Sequence, residues 1–561
     1  MNNHPKVHSC RCEVAFENIC KRKVLEKMKY LWTLPAKGFL MVLVLFIFHG
    51  SQESNLAAGE KDKVLHSPGG TTYYLDSQNG GDQNDGTLPE RAWKSLSRVN
   101  STVFAPGDRI LLKAGTTYTG QLRPQGSGSR AAPIVIDMFG RGNKPRIDGE
   151  GNVLDTLLLE NVEYWQVNNL EITNLGPTRA NWRTGVRVSA NNCGTLHNIQ
   201  LKNLHVHDVN GSLDKSTEGC GIFWQCKGEK PSRFDGLLIE NCHVVRTDRN
   251  GICGRSRFTD RSKNWFPSLN VVIRNNLLED IGGDCIKPWG CDGCLIEYNR
   301  IYGGRQRCED YAAGIWPWSC DNTVIQFNEV SHIKGAKDGQ AFDSDYNCQN
   351  SLFQYNYSHD NDGGFMLICG PARTGGNVGC VGTVIRYNIS QNDKSRIFHI
   401  TGDSVRNTYI YNNIIYIGPD LDIPIVLFTD WGGWPENTYF YNNIFYAEGA
   451  ARYSYGAGRN DDGTYKHEPG FGKSTNNIFS NNLFYGNHIK PPTDPKAITA
   501  NPMLAEPGSG GIGPDSVDGY KLKDGSPCIA AGVKIPDNGG RDFWGNKVSQ
   551  NRKPDIGAHS R

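Results

Sequence analysis

The sequence lacks several features that would place it in a common class of protein. With 60 Lys and Arg against 58 Asp and Glu in 561 residues, it has almost no net charge, so its composition gives no reason to expect a nucleic-acid partner. Its only long apolar run has 12 residues, too few for a membrane-spanning helix. The CxxC at Cys291–Cys294 is not followed by a second Cys or His pair, so no zinc site is expected.

That apolar run, Gly38–His49, has the length of a signal-peptide core and follows two lysines. Small and polar residues at 50–58 supply a cleavage region. We therefore predict that 1–57 is an over-extended start followed by a signal peptide, with translation beginning at Met28. The mature protein would be secreted or periplasmic, without membrane association after cleavage. A retained membrane anchor is the alternative.

A short pattern of apolar residue, polar residue, any residue and asparagine recurs along the middle of the chain at intervals of 23 to 39 residues. Such a period indicates a solenoid, and a β-propeller would need about 40–50 residues per blade. Because each repeat holds short β runs and no amphipathic helix, we predict an all-β, single-stranded, right-handed parallel β-helix. The recurring asparagines should form a ladder of side-chain amides: Asn276, Asn299, Asn328, Asn356, Asn388, Asn413, Asn443 and Asn482.

The predicted domain organisation follows this repeat. Residues 71–154 form an N-terminal cap and the first coils, with a helix beginning at Pro89. The β-helix proper occupies 155–485, and 486–561 is a loop-rich closing segment. Both ends need covering because an open solenoid exposes its core and its unpaired strand edges.

The segment 282–369 contains four related pieces that align on apolar residues, and side chains one and three places further on should point outward. The predicted inward column is Ile286, Ile315, Phe342 and Phe365. The outward pairs are Lys287 with Trp289, Trp316 with Trp318, Asp343 with Asp345, and Met366 with Ile368. Upstream coils add Arg187 with Ser189, Phe223 with Gln225, and Cys253 with Arg255, and a downstream coil adds Phe398 with Ile400. Cysteines at equivalent places, either bridged between coils or stacked as free thiols, are Cys291, Cys320, Cys348 and Cys369.

This outward face is the candidate functional site. Asp343 and Asp345 lie two places apart on one strand, which puts their Cα atoms about 6.6 Å apart. Two carboxyls at such a distance can serve a glycosidase, because repulsion between them keeps one protonated. Alternatively they are a solvated strand face or bind structural calcium. The neighbouring tryptophans could stack on the apolar faces of sugar rings. Alternatively, these tryptophans turn inward and fill the core.

Fifteen side chains are thus candidates for function. Those proposed for catalysis, including groups on the loops that feed the face, are Asp343, Asp345, Lys287, Glu309, Asp310, His359 and Asp362. Those proposed for substrate binding are Trp289, Trp316, Trp318, Arg255, Arg187, Gln225, Asp284 and Asp338. No metal ligand is assigned unless Asp343 and Asp345 hold Ca²⁺.

The coil pattern, the N-terminal YYLDSQNGGDQNDG…AWKSL and the C-terminal SPCIAAG…RDFWGN…DIGA resemble secreted bacterial right-handed parallel β-helix proteins. That pectate-lyase-like superfamily contains both polysaccharide lyases and glycoside hydrolases, so the resemblance implies the fold and a carbohydrate substrate. Polygalacturonases in it use NTD, DD and GHG segments. Because this chain has FDSD and no GHG, polygalacturonase activity is not expected of it. Lyases with a lysine base carry aspartates before the lysine, whereas here they follow Lys287.

Three functions follow as hypotheses. The first is a glycoside hydrolase that cleaves a plant or algal polysaccharide with Asp343 and Asp345 and needs no cofactor. The second is a polysaccharide lyase with Lys287 as base, Arg255 on the uronate and Ca²⁺ at the two aspartates. The third is a non-catalytic carbohydrate-binding surface protein. In each case we expect a monomer with a polysaccharide or oligosaccharide partner.

Overall fold

The computed structural model describes residues 64–371, 376–460, 465–549 and 551–561. The predicted signal peptide and the start at Met28 lie outside these residues. Within the described part of the chain, no helix combines the length and apolar character needed to cross a membrane.

The described chain is a parallel β-helix, as predicted. Successive coils pair strand on strand in parallel, and Tyr465–Pro469, which returns antiparallel on Ile444–Arg459, departs from this rule. One face, called here the site sheet, contains the candidate residues. Its strands are Asp155–Glu160, Thr184–Asn191, Cys220–Lys227, Asn250–Ser256, Ile286–Lys287, Gln340–Ser344, Gly364–Cys369, Phe398–Thr401, Asp422–Thr429 and the second half of Ile444–Arg459.

Two further ladders complete the coils. The first consists of Thr72–Leu75, Arg109–Lys113, Ile134–Phe139, Trp165–Asn168, Gly194–Lys202, Ser232–Glu240, Ser268–Leu269, Val272–Arg274, Cys291–Asp292, Leu295–Glu297, Val324–Gln326, Cys348–Gln349, Leu352–Gln354, Cys380–Val381, Val384–Arg386, Val405–Tyr411, Glu436–Tyr441 and Thr475–Ser480. The second consists of Thr117–Thr119, Arg146–Asp148, Glu171–Asn174, His205–Val209, His243–Thr247, Leu277–Ile281, Arg300–Tyr302, Glu329–Ser331, Tyr357–His359, Ile389–Gln391, Ile414–Ile417, the first half of Ile444–Arg459 and Leu483–Ile489. Strand pairing is continuous from Thr72 to Ile489. It does not test the domain boundaries proposed above, which stay predictions.

The asparagine ladder is present over all eight predicted coils. Each amide nitrogen donates to the side-chain oxygen of the next asparagine at 2.9–3.0 Å, and Asn482 ends the ladder on Asp494. The left-handed turn residue is the one before each ladder asparagine, for example Tyr298 and Phe327 at φ 55°. Those rings stack on one another at 4.9 Å. The ladder therefore satisfies buried turn groups on every coil.

The core column is confirmed for three of its four predicted members. Ile286, Ile315 and Phe342 pair in register, but the next coil places Met366 opposite Phe342. Phe365 is nevertheless fully buried and lies edge-on to Phe342, with ring centroids 5.9 Å apart. The prediction placed the inward position one residue too early because GFMLIC is apolar at consecutive positions. Alternation of polarity therefore does not distinguish the two faces of this strand.

The cysteine stack also differs by one member. Cys291, Cys320 and Cys348 continue to Cys380, which pairs with Cys348 in register, and Cys369 belongs to the site sheet instead. Every cysteine in the described residues is a free thiol. The stack therefore acts as small, buried apolar side chains.

Short segments cover both ends. The predicted helix from Pro89 is a 3₁₀ turn at Pro89–Arg91 followed by an α-helix at Leu96–Asn100. The C-terminal segment, which includes a 3₁₀ stretch at Pro514–Tyr520, packs on the later coils. It forms hydrogen bonds such as Gly513 N–H to the Glu329 carboxylate at 2.6 Å.

Candidate active site

Three aspartates gather where the strand Gln340–Ser344 crosses the site sheet. Asp343 points outward from that strand, Asp345 follows it directly, and Asp338 precedes it at a β-bridge to Ala312 with a left-handed φ of 63°. The Asp343 and Asp345 carboxyl oxygens and the Cys369 Sγ all lie within 4.8 Å of one another. Asp343 and Asp345 are 3% and 8% exposed, whereas Asp338 is half-buried. Asp338 is thus the least buried residue of the three.

Burial and mutual repulsion set the protonation of this trio. Burial, together with the charges of Asp345 and Asp338, raises the pKa of Asp343 well above its usual value. Burial also raises the pKa of Asp345, but the Cys369 thiol at 2.8 Å and the Tyr346 N–H at 2.6 Å donate to it and oppose the rise. Burial raises the pKa of Asp338 to about 6. Asp345 is therefore the carboxyl best stabilised in the ionised form, and Asp338 can hold a proton near neutral pH.

Lys215 lies over this cluster and was missed by the sequence analysis. Its ammonium group is 5.3 Å from the Trp316 ring centroid and donates to the Tyr311 carbonyl at 3.3 Å. Its charge counteracts the rise in pKa at all three aspartates. Lys215 sits in a loop outside the repeat, more than a hundred residues before Asp338, so no spacing pattern pointed to it.

The structure argues against Lys287 as a catalytic base or uronate ligand. Lys287 points outward from its strand, but it is 1% exposed. Its Nζ lies 2.8 Å from a Glu218 oxygen and 3.5 Å from an Asp284 oxygen. Burial lowers its pKa, but these two carboxylates outweigh burial and hold the pKa above its usual value. A buried, fully paired ammonium can neither take a proton nor reach a substrate.

Asp284 and Asp310 are likewise structural. Asp284 is fully buried, and it accepts the indole N–H of Trp316 at 3.0 Å. Burial favours its neutral form, yet Lys287 and its other cationic neighbours outweigh burial and lower its pKa. Asp310 forms an ion pair at 2.5 Å with Arg249, a fully buried guanidinium. Asp284 therefore orients Trp316 and does not itself bind a sugar, and Asp310 neutralises a buried cation.

The side chains of three loop candidates make their contacts within the described structure outside the trio. His359 belongs to another ladder, where it is 2% exposed between Glu329 at 3.3 Å and Asp360 at 2.8 Å. Asp362 accepts the Gly335 N–H at 2.9 Å and pairs with Lys394 at 3.0 Å. Glu309 is exposed, and none of its side-chain contacts with described residues links it to the aspartates. The expectation that these loops feed catalytic groups to the site is not supported.

An aromatic strip runs along the site sheet towards Asp345. The rings of Trp289 and Trp318 lie 5.2 Å apart, and Trp318 stacks on Tyr346 at 5.0 Å. Both tryptophans are half-buried, whereas Trp316 is 3% exposed and meets Trp318 edge-on at 5.9 Å. Trp289 and Trp318 thus keep part of their ring surface exposed to solvent, while Trp316 supports Trp318 from below.

Upstream, the predicted outward residues lie on the same face. Arg187, Phe223, Cys253 and Lys287 pair in register, as do Ser189, Gln225 and Arg255. Downstream, Asp343 pairs with Leu367 and then His399. Outward positions on those coils thus belong to Leu367 with Cys369 and His399 with Thr401. Met366, Ile368, Phe398 and Ile400 are core residues, which corrects the predicted outward pairs.

Among the residues that the structure describes, two groups of side chains are close enough to hold a metal ion. Asp343, Asp345 and Cys369 form the first, but Ca²⁺ prefers six to eight oxygen ligands and the third group is a thiol. Burial raises the pKa of the Cys369 thiol well above its usual value. The second group is Glu171, His205 and His207, in which Arg146 and His207 already share one Glu171 oxygen. The aspartate pair therefore fits calcium poorly.

Comparison with known proteins agrees with this architecture. No protein-family model matches the chain. A lacto-N-biosidase of Bifidobacterium longum subsp. longum is 30% identical over 89% of the chain. The chain spans only 37% of that protein. The alpha-1,3-galactosidase A of Akkermansia muciniphila is 34% identical over 77 residues, 14% of this chain and 13% of that protein.

Solved structures carry the same fold. The crystal structure of a lacto-N-biosidase of glycoside hydrolase family 136 from Eubacterium ramulus matches with a TM-score of 0.55 at 27% identity, covering 75% of this chain and 68% of that one. XylC in complex with xylose matches with a TM-score of 0.53 at 12% identity over 87% of this chain and 98% of that one, which concerns the fold alone. The chain therefore belongs to the right-handed parallel β-helix proteins. Within that class, it is similar to lacto-N-biosidases in both sequence and structure.

Proposed function

We propose that this protein is a glycoside hydrolase that cleaves an oligosaccharide at the three aspartates of the site sheet. The observation that carries the proposal is a half-buried aspartate, Asp338, whose carboxyl has a pKa of about 6, beside the better-stabilised carboxylate of Asp345. Glycoside hydrolysis requires one protonated and one ionised carboxyl about the bond. The similarity to lacto-N-biosidases supports this reaction and makes a lacto-N-bioside the first substrate to test.

The roles follow from access and protonation. Asp338 is the general acid that protonates the leaving oxygen, because it is the least buried residue of the three and its pKa of about 6 leaves part of it protonated near neutral pH. Asp345 is the carboxylate that acts on the anomeric carbon or on a water, held by the Cys369 thiol and the Tyr346 N–H. Asp343 is almost fully buried and stays protonated, so it places no second negative charge beside the Asp345 carboxylate. The sequence analysis proposed Asp343 and Asp345 as the catalytic pair and Asp338 for substrate binding, whereas the acid proposed here is Asp338.

The lyase alternative has no comparable support. It needs a neutral lysine able to remove a proton, whereas Lys287 is buried between two carboxylates. It also needs Ca²⁺ at Asp343 and Asp345, where Cys369 supplies sulfur instead of oxygen. A non-catalytic carbohydrate-binding protein would retain the aromatic strip, but it would not need three neighbouring carboxyls.

The test is hydrolysis of an aryl lacto-N-bioside by the wild type and by Asp345→Asn. We expect wild-type turnover and a loss in the variant of at least about 10²-fold, because the amide cannot carry negative charge towards the transition state. Asp420→Asn, which changes an exposed aspartate elsewhere on the chain, is the matched control. Equal turnover by Asp345→Asn would refute the assignment. A separate incubation with a uronate-containing polysaccharide tests the lyase alternative, which an unsaturated product absorbing in the ultraviolet would identify.

We further propose that the protein is exported and acts as a monomer without membrane association. The support is the apolar run Gly38–His49 after two lysines. N-terminal sequencing of the exported protein should begin within 50–60, and light scattering should give the monomer mass. A product that retains the apolar run would indicate an anchor.

A further inference from the structure

A cleft lies upstream of the aspartates on the site sheet. It encloses about 590 Å³. Trp182 forms one wall, and Arg187, Gln225 and Arg255 lie along its floor. Trp182 adopts a left-handed backbone at φ 61°, which is strained for a bulky residue, and its carbonyl accepts from Arg187 at 2.7 Å. The Trp182 wall of the cleft is thus held in place by the buried guanidinium of Arg187.

The cleft carries an excess of positive charge. Its charged lining consists of four cations and two anions: Arg187, Arg255, Arg257, Lys227, Asp155 and Glu160. Arg187 is neutralised by Asp155 at 2.5 Å, and Lys227 lies 3.4 Å from Glu160. Within the described residues Arg257 is exposed and makes no ion pair, and the carboxylate nearest to Arg255, on Glu218, is 3.7 Å away and is shared with Lys287. Two guanidinium groups therefore remain for a ligand.

The same cleft is joined to the aspartates by aromatic rings. The Arg255 guanidinium lies 4.9 Å from the Trp182 ring centroid and 5.5 Å from that of Trp289. From Trp289 the strip continues through Trp318 and Tyr346, the residue after Asp345. Three steps between neighbouring strands separate the Arg255 strand from Asp343, about 14 Å at the spacing of paired strands. A sugar in the cleft would belong to the chain being cleaved but lie away from the bond that breaks.

We propose that this cleft is a distal subsite for an acidic sugar of the substrate, bearing a carboxylate or a sulfate. The inference rests on the proposed hydrolase function and names the class of chain that the enzyme selects. Arginine forks pair with planar carboxylates and with sulfate oxygens, and their stacking on indoles holds them in place. A neutral chain would occupy the strip without using Arg255 or Arg257.

The test is ligand-observed NMR titration of the full chain with glucuronate, galactose 6-sulfate, glucose and galactose. None of these monosaccharides requires hydrolysis, so binding is measured independently of turnover. We expect one or both acidic sugars to bind at least about tenfold more tightly than the neutral ones, and binding to weaken with salt. A preference for glucuronate identifies a carboxylated chain and a preference for galactose 6-sulfate a sulfated one. Equal binding of acidic and neutral sugars would overturn the proposal.

Variants locate the binding. Arg257→Gln should weaken acidic-sugar binding about fivefold to tenfold while leaving neutral-sugar binding and the fold unchanged, because this side chain is exposed and has no ion pair. Arg255→Gln should give a larger loss. Arg141→Gln, which removes an exposed charge outside the cleft, is the control. Acidic-sugar binding that survives both cleft substitutions would refute the subsite, whereas a wild type that binds acidic sugars but hydrolyses no glycoside would refute only the hydrolase function.

Discussion

Substituting Lys287 separates a structural lysine from a catalytic one. Lys287→Met keeps the length of the side chain but removes the charge that faces Glu218 at 2.8 Å and Asp284 at 3.5 Å. All three side chains are at most 2% exposed, so two carboxylates would remain in the interior with less compensation. Removing one partner from a buried ion pair costs about 3–5 kcal/mol. We expect a loss of stability of that size.

The assay is urea unfolding followed by far-ultraviolet circular dichroism, with turnover measured in buffer without urea. Lys523→Met, at an exposed position without an ion pair in the described structure, should leave the unfolding midpoint unchanged. Adding Glu218→Gln to Lys287→Met should recover part of the loss, because it removes one uncompensated charge. The reasoning is refuted if Lys287→Met has wild-type stability but no turnover, since Lys287 would then act on the substrate.

Three further predictions concern the ladder, a buried histidine and the strip. Asn356→Ala breaks four buried hydrogen bonds and should cost about 3–6 kcal/mol of unfolding free energy in a urea titration; a shift no larger than that of exposed Asn487→Ala would contradict the ladder's role. Burial lowers the pKa of His359, but Asp360 and Glu329 raise it to about 9. Its stabilisation is therefore complete below about 6.5 and lost as the pH rises through about 9; the melting temperature of His359→Gln should lack this decline, and an unchanged decline would refute it. Trp318→Ala should raise KM for the oligosaccharide about tenfold with a smaller change in kcat, because it removes a stacking ring; an unchanged KM would show that sugars do not use the strip.

The sequence predicted the coil and its ladders because each coil repeats the same few residues. Asn276 to Asn482 recur at one place in each turn, and Ile286, Ile315 and Phe342 each stand in a run with alternating character. The predicted register was wrong at Phe365, where apolar residues occupy both faces of the strand. Alternation can set the register only where inward and outward residues differ in polarity.

The site was predictable only in part, for a related reason. The outward direction of Asp343, Asp345 and Trp318 follows from strand geometry. Burial of Lys287 does not, because its partner Glu218 comes from a loop 69 residues earlier in the chain. Lys215 is brought over the aspartates in the same way. Contacts made by loops between distant coils carry no periodic signal, and they decide which outward residues reach solvent.

In the proposed mechanism Asp338 donates the proton and Asp345 acts as the carboxylate. The most direct measurement is the pH dependence of kcat/KM for an aryl lacto-N-bioside with wild type and Asp338→Asn. Wild-type activity should fall as the pH rises past about 6, because the acid form of Asp338 is lost. Asp338→Asn should lose about 10²–10⁴-fold with a poor leaving group and less with an activated one, and its alkaline decline should disappear. An Asp338→Asn enzyme with wild-type rates and the same alkaline decline would contradict the assignment.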